Sequence, residues 1–444
     1  MNYHVNMNGI DVDAYYDDNT IKYIFFPLLE RVTALQKEKN RRILVFIAAP
    51  PGAGKSTLCS FLQKLSEDNE QFTDAQAIGM DGFHRRQEYL TSHTTVRGGR
   101  EIKMVEIKGA PITFDLELFT HKIKEVLSKE KVGWPVYDRM LHNPVDDAVT
   151  VTKDIVFLEG NYLLLNDDGW KDLKELADLT IFISADEKML RGRLIERKAA
   201  SGNDIETATR FVDYSDIPNV RLCLNNSQKA DITLILDEQG DYHFDKSTLR
   251  KLIVAKRDKL TAKERIEKSS QIFEKLIETP EYKRAENVLV YASMGSEVIT
   301  DDIILDALSE GKNVFCPKVI SRKEREMKFV QISRIEDLEE GFQGIREPVI
   351  TDSSVIFNMD SDLYDYDQMK NTLVIMPGTV FDKKRNRIGY NGGFYDTFLS
   401  VFHGLSTFAL AYDVQIFEGD ILAKDHDIKP DKIITDIQNL QKQF

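Results

Sequence analysis

The segment Ala49-Pro50-Pro51-Gly52-Ala53-Gly54-Lys55-Ser56-Thr57 sets two glycines, a lysine and two hydroxyls between an apolar run, Ile43 to Ala48, and a helical stretch, Leu58 to Leu65. Strand, glycine-rich turn and helix N-terminus in that order aim backbone N–H groups and the positive end of a helix dipole at an anion, which is the chemistry of polyphosphate binding. Lys55 would reach the β and γ phosphates of ATP and Ser56 would hold Mg²⁺, with Gly52, Gly54 and Thr57 completing the cradle. Ala49 stands where the strict motif has its first glycine.

Carboxylates follow at two further strand ends. Met80-Asp81-Gly82-Phe83-His84 closes an apolar strand, Gln76 to Met80, and Asp81 there could accept the proton of an acceptor hydroxyl or help place Mg²⁺. An Asp-Gly turn that merely ends the strand is the alternative. Phe157-Leu158-Glu159-Gly160 ends another strand and makes Glu159 a second metal anchor or a solvated strand end. Arg191, Arg193 and Arg197 lie on a helix predicted after Ser184-Ala185-Asp186, where Arg193 is the candidate to meet a transferring phosphate; a solvated helix face is the competing reading.

A second glycine-rich turn lies far downstream. Met376-Pro377-Gly378 and Phe381-Asp382 lead into Arg387-Ile388-Gly389-Tyr390-Asn391-Gly392-Gly393-Phe394-Tyr395-Asp396, with Lys383, Lys384 and Arg385 just before. Backbone amides and a guanidinium at such a turn could clasp polyphosphate, although composition alone fits a glycine-rich hairpin equally well.

The elements that must position these groups alternate short apolar runs with helix-period segments, the pattern of parallel sheets covered by helices. Strands are predicted at Ile43 to Ala48, Gln76 to Met80, Ile155 to Leu158, Leu179 to Ser184 and Ile232 to Leu236. The acidic stretch Asp237 to Asp245 breaks the periodicity, and Lys246 to Arg257 restarts it as a basic amphipathic helix. Two α/β domains are therefore expected, over 1–240 and 245–444: a P-loop NTPase-type parallel sheet with helices on both faces, then an open α/β sheet. The second half predicts a helix pair to about Ile277, strands at Asn287 to Tyr291, Asn313 to Pro317, Leu373 to Met376, Thr407 to Ala411 and Lys432 to Thr435, and a helix from Asp301 to Ser309. Thr351 to Gln368, rich in Asp and Ser, reads as an exposed loop.

Composition narrows the partners. The 444 residues carry 59 Lys and Arg against 73 Asp and Glu, a formal net charge of -14, which argues against a non-specific nucleic-acid binder. Local basic clusters can still hold small anions on such a chain. Cys59, Cys223 and Cys316 lie far apart with no metal-ligand spacing and read as buried thiols of a reducing compartment. No run approaches the roughly 18 apolar residues of a membrane span, and no leader pattern opens the chain, so a cytoplasmic protein without membrane partners is expected.

The set APPGAGKST, MDGFH, Lys108 to Asp115 (KGAPITFD), Pro135 to His142 (PVYDRMLH) and VFLEG resembles the uridine kinase, phosphoribulokinase and bacterial pantothenate kinase group of P-loop kinases, across about residues 1 to 240. The nearest likeness is to a nucleoside or sugar kinase-like branch carrying DGFH. The resemblance implies that Asp81 is the catalytic base and that Tyr137 and His142 line the acceptor pocket. Arg97-Gly98-Gly99-Arg100 departs from the uridine kinase pattern, which leaves the acceptor open.

Residues 245 to 444 resemble 5-formyltetrahydrofolate cyclo-ligase, whose signature is M-P-G, F-D and R-[LI]-G-x-G-x-G-[YF]-Y-D, with Asn391 where that family has glycine. A cyclo-ligase-like open sheet is implied. So are roles for Lys246 and Arg250 toward ATP, Glu297 toward the folate and Asp396 toward Mg²⁺. Spaced i and i+4, Lys246 and Arg250 share a helix face. Arg387, Gly389, Gly392, Gly393 and Tyr395 would complete the nucleotide grip, with Arg387 catalytic, while Met294, Tyr390 and Phe394 are candidates for the folate slot beside Tyr291. The implied reaction phosphorylates the formyl oxygen of 5-formyltetrahydrofolate with ATP; N10 then closes the ring and phosphate leaves, giving 5,10-methenyltetrahydrofolate. A bifunctional chain is the leading expectation. Its rivals are a working cyclo-ligase beside an ATP-binding regulatory module, and a second half that binds folate without turnover. The oligomeric state is not encoded in any motif found.

Overall fold

Six apolar residues in a row, Ile43–Ala48 (β1), are buried on both faces, as a strand must be when helices cover both sides of its sheet. The structure, a computed structural model, describes residues 1–7, 10–341, 344–358, 370–390, 392–402, 404–424 and 427–441. It divides into two compact units, Met1–Asp245 and Lys246–Phe444.

In the first unit β1 runs into the helix Lys55–Glu67 (α1), and the other strands are Ala75–Gly79 (β2), Ile155–Gly160 (β3), Leu179–Ala185 (β4), Ile232–Leu236 (β5) and Tyr242–Phe244 (β6). Their order is β2-β3-β1-β4-β5-β6. All neighbours are parallel except β6, which pairs antiparallel with β5 through Leu234 and Phe244. With β3 on one side of β1 and β4 on the other, the glycine-rich turn leaves the sheet where the strand order reverses, the usual crevice of an open α/β sheet. Gln76 to Met80 shifts by one residue, because Met80 opens a 3-10 turn, Met80–Phe83. The expected break after Leu236 is a tight turn, in which Asp237 Oδ1 accepts from the Gln239 and Asp241 amides, and the chain then returns as β6. A hairpin that periodicity did not reveal, Val132–Asp138 with Asn143–Val151, buries Trp134 in the core. It is interrupted by a register shift between Trp134 and Val136, which blurs its alternation.

The second unit opens with Lys246–Arg257 (α2) and contains Asn287–Val290 (β7), Asn313–Ser321 (β8), Glu326–Ile332 (β9), Thr372–Met376 (β10), Ser406–Ala411 (β11), Lys432–Thr435 (β12) and Asn439–Gln441 (β13). Their order is β9-β8-β7-β10-β11-β12-β13. The central five are parallel and both edges antiparallel. Alternate residues of each central strand enter different cores. Val288, Leu373, Ile375 and Phe408 join one, while Leu289, Val374, Met376 and Ala409 join the other. The edge strand β9 was not expected, since charged residues alternate with its apolar ones and only one face needs burial. Residues 359–368 of the expected loop lie outside the described residues; Thr351 to Ser354 form an exposed turn.

The cysteines are free and buried. Among the described residues no helix is long and apolar enough to cross a membrane.

Candidate active sites

The P-loop of the first unit needs glycine at two points, because Gly52 (φ 85°) and Gly54 (φ 73°) take the left-handed backbone that side chains disfavour. Gly54 caps α1, so Lys55, Ser56 and Thr57 form its first turn, where unpaired amides gather. Ser56 Oγ donates to Glu159 Oε1 at 2.7 Å, and Lys55 Nζ lies 3.7 Å from Glu159 Oε2. Burial raises the Glu159 pKa, the Lys55 charge opposes the shift, and the negative charge of Asp81 adds to it. Two glycines let this carboxylate approach the Asp81 turn. A Cβ on Gly79 would stand 2.9 Å from Glu159 Oε1, and one on Gly160 would stand 2.2 Å from Met80 Sδ. Gly82 is tighter still, with its Cβ position 2.0 Å from the Pro135 carbonyl oxygen. Trp134 Nε1 donates to the Gly79 carbonyl at 2.8 Å, tying the same hairpin to the strand end below Asp81.

Around Asp81 stand aromatic and cationic groups. His84 stacks on Phe114 at 3.9 Å and meets the Tyr137 ring at 5.4 Å. Its Nδ1 is buried without a hydrogen-bond partner, and burial lowers its pKa, with Asp81 opposing. Tyr137 Oη accepts from Lys108 Nζ at 2.6 Å. His142 sits exposed at the hairpin turn with φ 52°, and only its carbonyl faces Lys108, at 3.2 Å. The three arginines of Glu187–Ala200 separate. Arg191 is taken by Asp213, at 2.7 and 2.9 Å. Arg193 lies against Gly240, and its charge acts on the Tyr242 hydroxyl, which faces Gly54. Arg197 is exposed, and the charges of Asp216 and, less strongly, Asp81 act on it against the lowering of its pKa.

In the second unit the glycine-rich turn is a close-packed knot. Gly378 faces the Phe381 ring, its Cβ position 2.2 Å away, and Gly392 faces the Phe394 ring at 2.4 Å. Gly393, at φ 66°, caps the helix Phe394–Val401. Asn391 lies outside the described residues, as does His426. Arg387 is buried, donating from Nη2 to Asp396 Oδ1 at 2.8 Å and from Nη1 to the Pro377 carbonyl at 3.3 Å, while its Nε has no partner. Gly389 leaves room for that guanidinium, since a Cβ there would lie 3.1 Å from Nη1. Asp396 Oδ1 also accepts from the Ile428 amide at 3.1 Å. Lys246 pairs with Asp427, and Arg250 Nε donates to the Gly389 carbonyl at 2.7 Å. Lys383 and Lys384, by contrast, pair with Glu418 and Asp420, and Arg385 bonds the Pro430 carbonyl.

Arg257, two turns beyond Arg250 on α2, is the residue that sequence reasoning missed. It is buried, donating to Ser296 Oγ at 2.9 Å and Tyr390 Oη at 2.8 Å. Its seven-residue spacing from Arg250 puts both on one helix face, and that was the available signal. Beside it, Glu297 accepts from the Met294 amide at 2.9 Å, and burial raises its pKa. The Tyr390 ring is exposed at the rim while its hydroxyl turns inward to Arg257, where burial and Glu297 raise its pKa. An open cleft of ≈ 550 Å³ is lined here by Arg257, Arg265, Met294, Ser296 and Tyr390. Phe394 packs against a core cluster, and Tyr291 is buried, its hydroxyl on the Val298 carbonyl at 3.3 Å. The Tyr395 hydroxyl is buried without a partner. Asp382, read only as part of a motif, is a buried organiser that accepts from Asn386 and Ile421.

Residues 44–235 match the Phosphoribulokinase / Uridine kinase family, and residues 243–436 match the 5-formyltetrahydrofolate cyclo-ligase family. The uncharacterized protein YggC of Escherichia coli K12 is 39% identical over 55% of this chain and 99% of its own length. An ATP-dependent kinase-like protein of Aspergillus versicolor is 30% identical over 32% of this chain and 89% of its own. The mitochondrial 5-formyltetrahydrofolate cyclo-ligase of Arabidopsis thaliana is 30% identical over 43% of this chain and 72% of its own. With the parallel sheets, the glycine-built turns and these matches together, the chain belongs through its first unit to the phosphoribulokinase and uridine kinase family and through its second to the 5-formyltetrahydrofolate cyclo-ligase family, an ATP-using ligase that also carries a small-molecule kinase domain.

Proposed function

We propose that both units turn over: the second converts 5-formyltetrahydrofolate to 5,10-methenyltetrahydrofolate, and the first phosphorylates a small hydroxyl-bearing metabolite. The observation that carries the reading is that each unit gathers a cation, a carboxylate and a glycine-built turn at one place: Lys55 with Glu159, and Arg387 with Asp396. Mg²⁺ favours oxygen donors and needs only one or two carboxylates besides substrate phosphates. The Ser56 and Glu159 oxygens, already 2.7 Å apart, fit it in the first unit, and the Asp396 carboxylate fits it in the second. When bound there, the metal would neutralise phosphate charge.

In the first unit Asp81 takes the proton of the acceptor hydroxyl as that oxygen bonds to the γ-phosphorus. The β,γ-bridging bond breaks, and ADP departs. Lys55 and the amides of the first α1 turn hold the charge that develops, and Arg193 supplies a guanidinium group. In the second unit Lys246, Arg250 and Arg387 face the triphosphate while the formyl oxygen attacks its γ-phosphorus, the β,γ-bridging bond breaks and ADP departs. Glu297 and Tyr390, held by Arg257 and the Met294 amide, orient the pterin at the cleft so that N10 can close the ring as phosphate leaves. Tyr137 lines the acceptor pocket, and Met294 lines the folate slot. Absorbance of the methenyl product, followed with ATP and 5-formyltetrahydrofolate, tests the second unit. Release of ADP across a panel of hydroxyl compounds tests the first, and a panel in which no acceptor is phosphorylated would favour a regulatory ATP module.

A further inference from the structure

Lys108 is a cation whose bonded partners are all neutral. Its Nζ donates to Tyr137 Oη at 2.6 Å, Gln87 Oε1 at 3.1 Å and the His142 carbonyl at 3.2 Å. Burial lowers its pKa, and among the described residues no carboxylate pairs with its ammonium. A half-buried ammonium without a counter-charge destabilises the empty fold. It becomes favourable when a ligand brings the missing charge, and its three rotatable donors can admit an anion while keeping the Tyr137 bond.

Its position points to the acceptor rather than to ATP. The ammonium stands 4.7 Å from the Tyr137 ring centre, and that ring packs edge-on to His84. The titration of His84 responds to Asp81 and Lys108 in opposite senses, and Tyr137 responds to Asp81 and Arg139. Asp81 and Lys108 therefore act on the same pair of rings. Arg139 also acts on Arg197, and these couplings name three cations, Lys108, Arg139 and Arg197, beside three carboxylates, Asp81, Asp138 and Asp216. Of these carboxylates, Asp138 accepts from the Met140 and Leu141 amides of the hairpin turn rather than from Lys108.

We propose that the acceptor of the kinase unit is an anionic hydroxyl compound, and that Lys108, oriented by Tyr137, is the specificity-determining cation that binds its carboxylate or phosphate. This rests on the kinase reading above. It is tested with the full chain, ATP and Mg²⁺, measuring ADP release with matched probes: gluconate as the carboxylate, glucose 6-phosphate as the phosphate, and glucitol, glucose and uridine as neutral hydroxyl compounds. In the wild-type chain one anionic probe is expected to exceed its neutral counterpart in kcat/KM by about 100-fold, and whichever probe does so identifies the group. Lys108→Met should raise KM for that probe by about 100-fold with little change in kcat, and Lys108→Arg should recover part of the loss. Tyr137→Phe should raise KM by about tenfold, because the ammonium loses its orienting oxygen. Equal or better turnover of a neutral probe, or an unchanged KM in Lys108→Met, overturns this inference alone. ADP release with none of the probes, from a chain that still binds ATP, overturns the kinase reading and this inference with it. The wild-type ratio needs no variant, so it decides the matter even where Lys108→Met fails to fold.

Discussion

The two units face one problem, holding a triphosphate, with different materials. The first presents main chain: Gly52 and Gly54 bend the loop so that the amides of α1 point outward, and a single lysine is added. The second presents side chains: Arg250, from the first helix of the unit, bonds the glycine-rich turn that holds Arg387, and Lys246 of the same helix pairs with Asp427. Main-chain donors are built in with the fold, whereas side-chain donors must be held, and the second unit holds each of its three with a carboxylate or a carbonyl. The lesson is that point substitutions should injure the two units unequally: the second through any of several cations, the first chiefly through one lysine and the glycines beneath it.

The largest expected effect is that of Lys55→Ala. It removes the P-loop side chain proposed to meet the γ-phosphate and should lower phosphoryl transfer by the first unit by about 1,000-fold, or ~4 kcal/mol of transition-state stabilisation. Formation of methenyl product by the same chain should be unchanged, and parallel loss of both activities would break the separation of the two grips. Next comes Arg387→Met, expected to lower cyclisation kcat/KM by about 100-fold while leaving ADP release by the first unit alone, because it removes a charge and strands Asp396.

The glycines supply a third effect, on stability. Gly82→Ala would place a methyl 2.0 Å from the Pro135 carbonyl, a rigid main-chain atom, so either the Asp81 turn or the hairpin must move. A loss of about 3 kcal/mol is expected, at the upper end of overpacking costs, read as a lowered melting temperature of the first unit with that of the second unaffected. Unchanged melting would mean that the Asp81 turn is loosely held and that the first unit is not the rigid partner in this comparison.

Much of this was legible because the informative residues are neighbours in sequence. β1, the P-loop and α1 form a continuous stretch, and the strands at Ile232–Leu236 and Lys432–Thr435 follow directly from runs of apolar residues. What stayed hidden depends on contacts between distant segments. Arg191, Arg193 and Arg197 share a helix and look alike in sequence, yet Asp213 claims the first while the second lies against Gly240. Arg257 ends the basic amphipathic helix of which only Lys246 and Arg250 were singled out in sequence, and Ser296 and Tyr390, from far along the chain, make it part of a site. Lys383 and Lys384, which precede Arg387 in sequence, pair with Glu418 and Asp420, a distinction that charge alone does not reveal.

The smallest effect sharpens the comparison from its acidic side. Each unit buries a carboxylate whose pKa burial raises, Glu159 opposed by Lys55 and Glu297 opposed by Arg257. A carboxyl whose folded pKa exceeds its unfolded one binds its proton more tightly in the native state. It therefore favours folding most at low pH, and that contribution is lost as pH rises from the ordinary glutamate range through the raised folded value. For Glu297 the replacement Glu297→Gln keeps an oxygen for the Met294 amide and removes the ionisation. Urea unfolding of the second unit, followed over this pH interval, should lose stability with rising pH in the wild type and lose less in the variant. A wild type that instead gains stability relative to the variant as pH rises would mean that Glu297 is already ionised within the fold at low pH. Arg257 would then be its counter-ion in the resting enzyme, and the charge held by side chains in this unit would serve the carboxylate before it serves a nucleotide.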